Sequence, residues 1–107
     1  MEILSHTLLN ISGGQQRRLQ IARCLYNEPK MVILDDPFNA IGYQMSLDIM
    51  NNFKKNYPNT IFVIINNQHD TLKLADKIIY LDNGEAVVGD FHTLLNIEDF
   101  KSLVGGE

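Results

Sequence analysis

Two short polar clusters contain the residue types that could do chemistry in this sequence. The first is Ser12-Gly13-Gly14-Gln15, and apolar residues recur at helical spacing over positions 19–26, which predicts a helix. Ser12 suits a helix N-cap because its hydroxyl can accept a hydrogen bond from a first-turn amide, and the glycines let a ligand approach the backbone. Such a helix presents free amides and the positive end of its dipole, which favours phosphate binding. The alternative is an ordinary capped helix after a loop.

The second cluster is the acid pair Asp35-Asp36, which directly follows four consecutive apolar residues at positions 31–34. Such a run predicts a short strand that is buried on both faces. An aspartate at the carboxyl end of a strand lies at the sheet edge where open α/β sheets bind ligands. The alternative is a structural strand followed by an acidic turn.

A helix and a second strand follow the acid pair and would position it. Residues 37–42 predict a turn, and apolar side chains at three- and four-residue steps over positions 47–57 predict a helix with a core-packing stripe. The β-branched, apolar run at 60–65 predicts a second strand. Because a strand, a helix and a strand in this order form a right-handed crossover, we expect the two strands to be parallel.

The C-terminal part predicts a short helix, a β-hairpin and one or two terminal helices. The short helix is expected over 71–77 and the terminal helices over 91–104. Residues 77–81 and 85–88 predict two antiparallel strands, because Asp82-Asn83-Gly84 between them contains the Asn-Gly step typical of tight hairpin turns.

The composition is that of a soluble globular protein. Of the 107 residues, 45% are hydrophobic and 21% are charged, and the net charge of −4 argues against nucleic acid as a partner. No apolar run approaches the ~18 residues that span a bilayer, and the N-terminus does not look like a secretory signal. Cys24 is the single cysteine, so we expect no internal disulfide and a reducing compartment.

The order and spacing of the two clusters resemble the nucleotide-binding domain of ABC transporters. Residues 11–15 resemble that family's Leu-Ser-Gly-Gly-Gln signature, and residues 31–36 resemble its Walker B strand. The resemblance implies an α/β fold, a partial P-loop NTPase (ABC ATPase) layered fold with parallel strands, a C-terminal β-hairpin and flanking helices. No Gly-x-x-x-x-Gly-Lys-Ser/Thr phosphate loop occurs in the sequence. Residues 1–107 are therefore interpreted as a single domain fragment that covers the C-terminal half of the family's domain.

The resemblance also implies cofactors and residue roles. In the family, two such domains enclose ATP and Mg²⁺, and each domain donates its signature to the ATP that the other holds. Ser12, Gly13 and Gly14 would then contact the γ-phosphate, and Gln15 would shape the loop around it. Asp35 would bind Mg²⁺ through water or from its second coordination shell, as Walker B acids do.

Three positions depart from the family pattern, and all three affect hydrolysis. The family usually has a glutamate after the Walker B aspartate to polarise the attacking water, but Asp36 here is one methylene shorter. Gly42 replaces an aspartate that usually acts across the dimer. The histidine that usually contacts the γ-phosphate aligns with Asn67, or with Asn66 when counted from the preceding strand. His69 is interpreted as an exposed loop histidine, which would contact phosphate only if the loop shifts.

The resemblance predicts the ATP-binding subunit fragment of an exporter-type ABC transporter, because residues 71–84 look like the exporter branch. Its expected partners are a second nucleotide-binding domain, in a dimer, and the transmembrane domains that hold it at the cytoplasmic face of the membrane. The alternative is a catalytically degenerate module that donates its signature to another subunit's ATP. A third interpretation is a soluble ATPase acting on chromosomes or ribosomes, but no coiled-coil heptads or basic insertions support it. Nothing in the sequence indicates the transported substrate.

The missing phosphate loop generates a first prediction. The 107-residue chain by itself should neither bind nor hydrolyse Mg-ATP, because the backbone amides and lysine that hold the β- and γ-phosphates are not in its sequence. Titration calorimetry of the purified chain should show no heat of binding. A dissociation constant in the micromolar range would contradict the prediction.

Overall fold

The structure, a computed structural model, describes residues 13–105. The helices are α1 (Gly13–Cys24), α2 (Tyr43–Asn56), α3 (His69–Lys73), α4 (Phe91–Leu94) and α5 (Glu98–Leu103), and the strands are β1 (Met31–Asp35), β2 (Ile61–Ile65), β3 (Ile78–Asp82) and β4 (Glu85–Gly89). The chain divides into two compact units, the first ending at Asn66 and the second beginning at Asn67. That residues 1–107 make up one domain fragment stays a prediction.

The first unit contains a parallel pair of strands, as the sequence predicted. β1 and β2 pair in parallel, with Met31 opposite Ile61 and Asp35 opposite Ile65. Hydrogen bonds extend the ladder at both ends, because Ile61 N–H donates to the Lys30 carbonyl at 2.9 Å and Asp36 N–H donates to the Ile65 carbonyl at 2.8 Å. The expected strand–helix–strand order and the expected bounds of β1 are both confirmed.

Helix α2 covers one face of this two-stranded sheet. Val32 and Leu34 of β1 are buried, and Phe62 of β2 shares their face because it is paired with Val32. The ring of Phe62 stacks on Phe53 of α2, with centroids 4.1 Å apart and the planes 8° from parallel. The predicted core-packing stripe of α2 is therefore confirmed at Phe53, which is buried against the sheet.

The opposite face of the sheet is exposed, so the prediction that β1 is buried on both faces is wrong for this chain. Ile33 of β1 is 65% exposed and Ile61 of β2 is 59% exposed. Met31, Val63 and Ile65 are also classed as exposed. A parallel sheet normally has a layer on each face. The strands carry apolar side chains on both faces of the sheet. Within the described part of the first unit, α2 covers one face and the other face remains exposed.

The signature-like helix α1 is shorter than the sequence predicted. It ends at Cys24 rather than near Tyr26, and the chain then turns through Asn27 and Glu28, which have positive φ values of 70° and 47°. Two successive left-handed residues cannot continue a right-handed helix, so they mark its end. Ile21 is the buried residue of α1.

The second unit contains the predicted hairpin. β3 and β4 pair antiparallel, and Asn83 and Gly84 between them have φ values of 51° and 79°. Positive φ at both central residues is the requirement of a type I′ turn, which explains the Asn-Gly step. The short helix expected over 71–77 lies earlier, at α3.

A small aromatic core holds the second unit together. It contains Ile78, Phe91, Leu94, Phe100 and Val104. Phe100 packs edge-on against Tyr80 and Phe91, with centroid distances of 5.4 Å and 5.9 Å. Helices α4 and α5 thus cover one face of the hairpin, and the prediction of one or two terminal helices over 91–104 is confirmed. Within residues 13–105, none of the helices has both the length and the apolar character needed to cross a bilayer.

The exposed sheet face generates a second prediction. The isolated chain should self-associate as its concentration rises, because a contiguous apolar face on water favours burial against another molecule. Ile33→Lys should keep the chain monomeric, since a charge at the centre of that face opposes its burial. Sedimentation velocity over a concentration series measures the association.

Asn51→Lys is the matched control, because Asn51 is an exposed residue of α2, which covers the opposite face, and the substitution adds the same charge. It should associate like the unsubstituted chain. Equal sedimentation of the Ile33→Lys variant and the unsubstituted chain would show that this face is not the associating surface.

Candidate functional site

The first cluster lies at the start of α1. Gly13, Gly14 and Gln15 form the first turn of the helix, and Gly13 and Gln15 are exposed. The first turn contains no acidic side chain, so no carboxylate there would repel an anion at the positive end of the helix dipole. Ser12 lies outside the described residues, and its capping and phosphate-binding roles stay predictions.

Asp35 is the last residue of β1, and its side chain is exposed. Because side chains alternate along a strand, Asp35 shares the exposed face of the sheet with Met31 and Ile33. An accessible carboxylate fits a role toward Mg²⁺, which usually takes one or two carboxylates and completes its shell with water and phosphate oxygens. Among residues 13–105 there is no group of three His, Cys, Asp or Glu side chains able to hold a metal.

Asp36 directly follows β1 in a left-handed backbone conformation, with φ of 48°. Aspartate tolerates this region better than most residues, since its short polar side chain can bond locally. Its N–H donates to the Ile65 carbonyl, so the backbone at Asp36 is tied to the end of β2. The carboxylate itself is exposed and available to a ligand or to water.

Residues 36–42 form a short loop between β1 and α2, and we call them the acid loop. Pro37 and Phe38 anchor it, since both are buried and Phe38 is only 1% exposed. Its turn closes through Ile41 N–H, which donates to the Phe38 carbonyl at 3.1 Å. At its end the Gly42 carbonyl accepts from both the N–H and the hydroxyl of Ser46, at 3.0 Å and 3.1 Å.

The acid loop lies close to the start of α1. A β-carbon placed on Gly13 would lie 3.8 Å from the Cβ of Ala40, which is van der Waals distance. The structure therefore brings the first cluster next to the loop that begins at Asp36. No local pattern in the sequence indicates this proximity, because Gly13 and Ala40 are 27 positions apart.

Ser46 is a residue that the sequence interpretation missed. It is fully buried at 0% exposure, and its hydroxyl closes the acid loop on Gly42. The signal in the sequence was the spacing between Gly42 and Ser46. A serine four residues after the glycine that precedes a helix can donate a hydrogen bond from its hydroxyl to that glycine's carbonyl.

The candidate phosphate-contact residues lie after β2. Asn67 is exposed, two positions beyond Ile65, and Asn66 is half-buried. His69 is not an exposed loop residue, so that interpretation is wrong. It begins α3, its side chain is 20% exposed, and its ring packs edge-on against Phe91 with centroids 4.8 Å apart. Nδ1 of His69 also lies 3.3 Å from Asp70 Oδ1.

Comparisons with known proteins all indicate the same family. The ABC transporter family matches residues 2–39, which include both polar clusters. The phosphonates import ATP-binding protein PhnC of Mycoplasma capricolum is 38% identical over 99 residues, which are 90% of this chain and 40% of that protein. The leukotoxin export ATP-binding protein LtxB of Aggregatibacter actinomycetemcomitans is 39% identical over 93 residues, which are 87% of this chain and 13% of that protein.

A solved structure agrees with these relatives. A bacterial Atm1-family ABC exporter with ATP bound superposes on 89% of this chain with a TM-score of 0.76 and 26% identity. The chain belongs to the family of ABC transporter ATP-binding domains. It spans about two fifths of the length of the PhnC protein that it matches. The predicted fold class, a partial ABC ATPase fold, is confirmed.

The backbone at Asp36 generates a third prediction for this ABC domain segment. The free energy of unfolding of the Asp36→Gly variant should exceed that of the Asp36→Ala variant by about 1 kcal/mol, because a residue with a β-carbon is strained in the left-handed region. At Asn51, an exposed position inside α2, the order should reverse by a similar amount, since glycine disfavours helices. Urea unfolding of the four variants measures the differences. The same order at both positions would mean that Asp36 is not held in the left-handed region.

Proposed function

We infer that this chain is the signature and Walker B part of an exporter-type ABC ATPase subunit, in which ATP binding and hydrolysis drive transport across a membrane. The observation that carries this inference is the similarity to export ATP-binding proteins over nearly the whole chain, including an exporter with ATP bound. The C-terminal pattern of residues 71–84 also resembles the exporter branch. An import protein is comparably similar, so the family alone does not set the direction of transport.

The signature role is assigned to the start of α1. Ser12, Gly13 and Gly14 would bind the γ-phosphate of ATP held by a second ATP-binding domain, and Gln15 would shape the turn. The exposure of Gly13 and the absence of an acid in the first turn, at the positive end of the helix dipole, support this role. The chain would therefore contribute to a site whose phosphate loop belongs to another subunit.

The metal and catalytic roles are assigned to the end of β1 and to the segment after β2. Asp35, whose side chain is exposed, would bind Mg²⁺ through water or from its second coordination shell, and the ion would neutralise charge on the phosphates. Asp36 would orient the attacking water, and Asn67 would take the place of the phosphate-contacting histidine. His69 is a poorer candidate, because its ring packs on Phe91.

A degenerate partner module remains a second candidate, and the residues themselves favour it. Asp36, Gly42 and Asn67 replace the water-polarising acid, the cross-dimer acid and the phosphate-contacting histidine of the family pattern. Loss of one preorganised transition-state contact typically lowers turnover about 100- to 1000-fold. In this case ATP hydrolysis at the site that uses this chain's Walker B would be slow. Its signature would still contribute to the site that holds the partner's ATP.

In either case the proposed partners are a second ATP-binding domain and the transmembrane domains of a transporter. The proposed location is the cytoplasmic face of the membrane, reached through those transmembrane domains. The relatives that carry export or import in their names are ATP-binding proteins of transport systems, which supports these partners.

A fourth prediction tests the catalytic assignments. In a complete ATP-binding domain that carries this chain and is paired with a normal subunit, Asp36→Glu combined with Asn67→His should raise hydrolysis at this chain's site. The expected gain is at least about 100-fold, the effect of restoring one preorganised contact, although paired residues need not act additively. Single-turnover hydrolysis at that site is the measurement.

The control is Asn51→Asp with Asn56→His, two exposed helix positions of α2 that receive comparable side chains. It should leave hydrolysis unchanged. If the Asp36 and Asn67 double variant also leaves hydrolysis unchanged, these positions do not carry the chemistry that the family resemblance implies.

A further inference from the structure

Helix α3 begins with a turn in which one carbonyl accepts two hydrogen bonds. The Gln68 carbonyl accepts from the N–H of Leu72 and from the hydroxyl of Thr71, each at 3.0 Å. Thr71 is buried, so this turn is attached to the interior of the second unit. Asn67 directly precedes Gln68 in the chain, and its backbone therefore enters a turn whose geometry is fixed.

His69 packs the start of α3 on the aromatic core of the second unit. Its side chain is 20% exposed, and its ring lies edge-on to Phe91, with centroids 4.8 Å apart and an angle of 81° between the planes. Phe91 is itself buried and packs against Phe100. Because aromatic rings prefer this edge-to-face arrangement, the imidazole ring has a defined place on the core.

Asp70 orients the ring of His69. Its Oδ1 lies 3.3 Å from Nδ1 of His69, and Nδ1 carries the hydrogen in this contact because a carboxylate can only accept. Nζ of Lys73 lies 4.0 Å from the same oxygen and 5.8 Å from the centroid of Phe91. The His69 ring is thus held by two contacts, one with an aromatic ring and one with a carboxylate.

We propose that His69 is a positioning residue for Asn67, so that the docked ring limits where the exposed side chain two residues earlier can move. Asn67 is exposed, and the contacts that fix the chain after it are those of Gln68 and His69. A phosphate contact is effective only where it is held in place, since misplacement by ~1 Å costs about 100-fold in rate. The phosphate role of Asn67 rests on the proposed function, whereas its positioning by His69 does not.

The positioning is tested on the 107-residue chain by NMR relaxation at the backbone N–H of Asn67. Its order parameter should be about 0.85 in the unsubstituted chain and should fall toward about 0.6 in His69→Ala, which are the values of rigid and flexible backbone. His69→Phe keeps an aromatic ring for Phe91 and should retain the order. His92→Ala is the matched control, because it removes the same side chain from an exposed position whose ring lies 6.2 Å from that of Phe91.

A loss of order at Asn67 in His69→Ala, with order retained in His69→Phe and His92→Ala, supports the proposal. Unchanged order in His69→Ala, or an equal loss in either of the other two variants, overturns it. The methyl resonances of Leu94 and Val104 report whether the core remains folded. If alanine unfolds the core, His69→Leu takes its place, since leucine fills space on Phe91 without the edge contact or the hydrogen bond to Asp70. Unchanged order at Asn67 in that variant likewise overturns the proposal.

The functional consequence is tested in a complete ATP-binding domain that carries this chain and is paired with a normal subunit. His69→Ala should lower kcat at the site that uses this chain's Walker B about 10- to 100-fold, and His69→Phe should restore it. The KM for ATP should stay the same, since the phosphate loop of that domain holds the nucleotide. In a domain that already carries Asn67→Ala, His69→Ala should lower kcat no further, because a positioning residue acts through the residue that it positions. Losses that multiply would show that His69 acts independently of Asn67.

The two experiments separate the possible failures. If the order at Asn67 falls but neither His69→Ala nor Asn67→Ala changes kcat, His69 positions Asn67 and the proposed phosphate role of Asn67 is wrong. If Asn67→Ala lowers kcat but His69→Ala leaves the order at Asn67 unchanged, the positioning is wrong and the proposed function stands.

Discussion

The parallel ladder between β1 and β2 is the constraint on which the candidate site depends. Its register brings Asp35 beside Ile65, and the Asp36 N–H continues it by one further hydrogen bond. The carboxyl ends of both strands therefore meet at one edge, which is where ligands bind in sheets of this kind. Asp36 is left-handed because the chain must leave β1 while its amide remains bonded to β2. The acid loop starts from this fixed point and places Ala40 close to Gly13.

The sheet is buried on one face, and this has a consequence for the proposed metal role of Asp35. The stacked pair Phe53 and Phe62 packs α2 on one face, while Ile33 and Ile61 remain exposed on the other. Asp35 projects on that exposed face. Any layer that covers the apolar residues would therefore also lie beside the Asp35 carboxylate. If Asp35 has the proposed role toward Mg²⁺, the layer that completes the core would also enclose the ion site.

Much of the fold could be predicted because local patterns determine it. The apolar run that ends at Asp35 predicts the position of β1. The Asn83-Gly84 step predicts the hairpin, because a type I′ turn needs residues that tolerate positive φ. The exposure of Ile33 could not be predicted, because a strand's periodicity does not say whether a second layer is present. The burial of the His69 ring was missed for a similar reason, since it depends on Phe91, 22 positions away.

The sequence predicts which residues belong to the candidate site, but it does not predict how they are arranged in space. Short-range patterns identified Gly13, Gly14, Asp35 and Asp36, and the family comparison covers the positions of both clusters. The proximity of Gly13 to Ala40 and the closure of the acid loop by Ser46 are tertiary features. They depend on how α1 and α2 pack in the first unit, and no local pattern in the sequence encodes that packing.

The central claim is that the start of α1 acts on ATP held by another subunit, and one substitution tests it most directly. Ser12→Arg places a bulky charge at that turn in a complete complex whose partner subunit hydrolyses ATP. Asn51→Arg adds the same charge on the exposed side of α2 and serves as the control. The account predicts that Ser12→Arg abolishes hydrolysis at the partner's site while Asn51→Arg leaves it unchanged. Full hydrolysis at the partner's site in the Ser12→Arg complex would contradict the account.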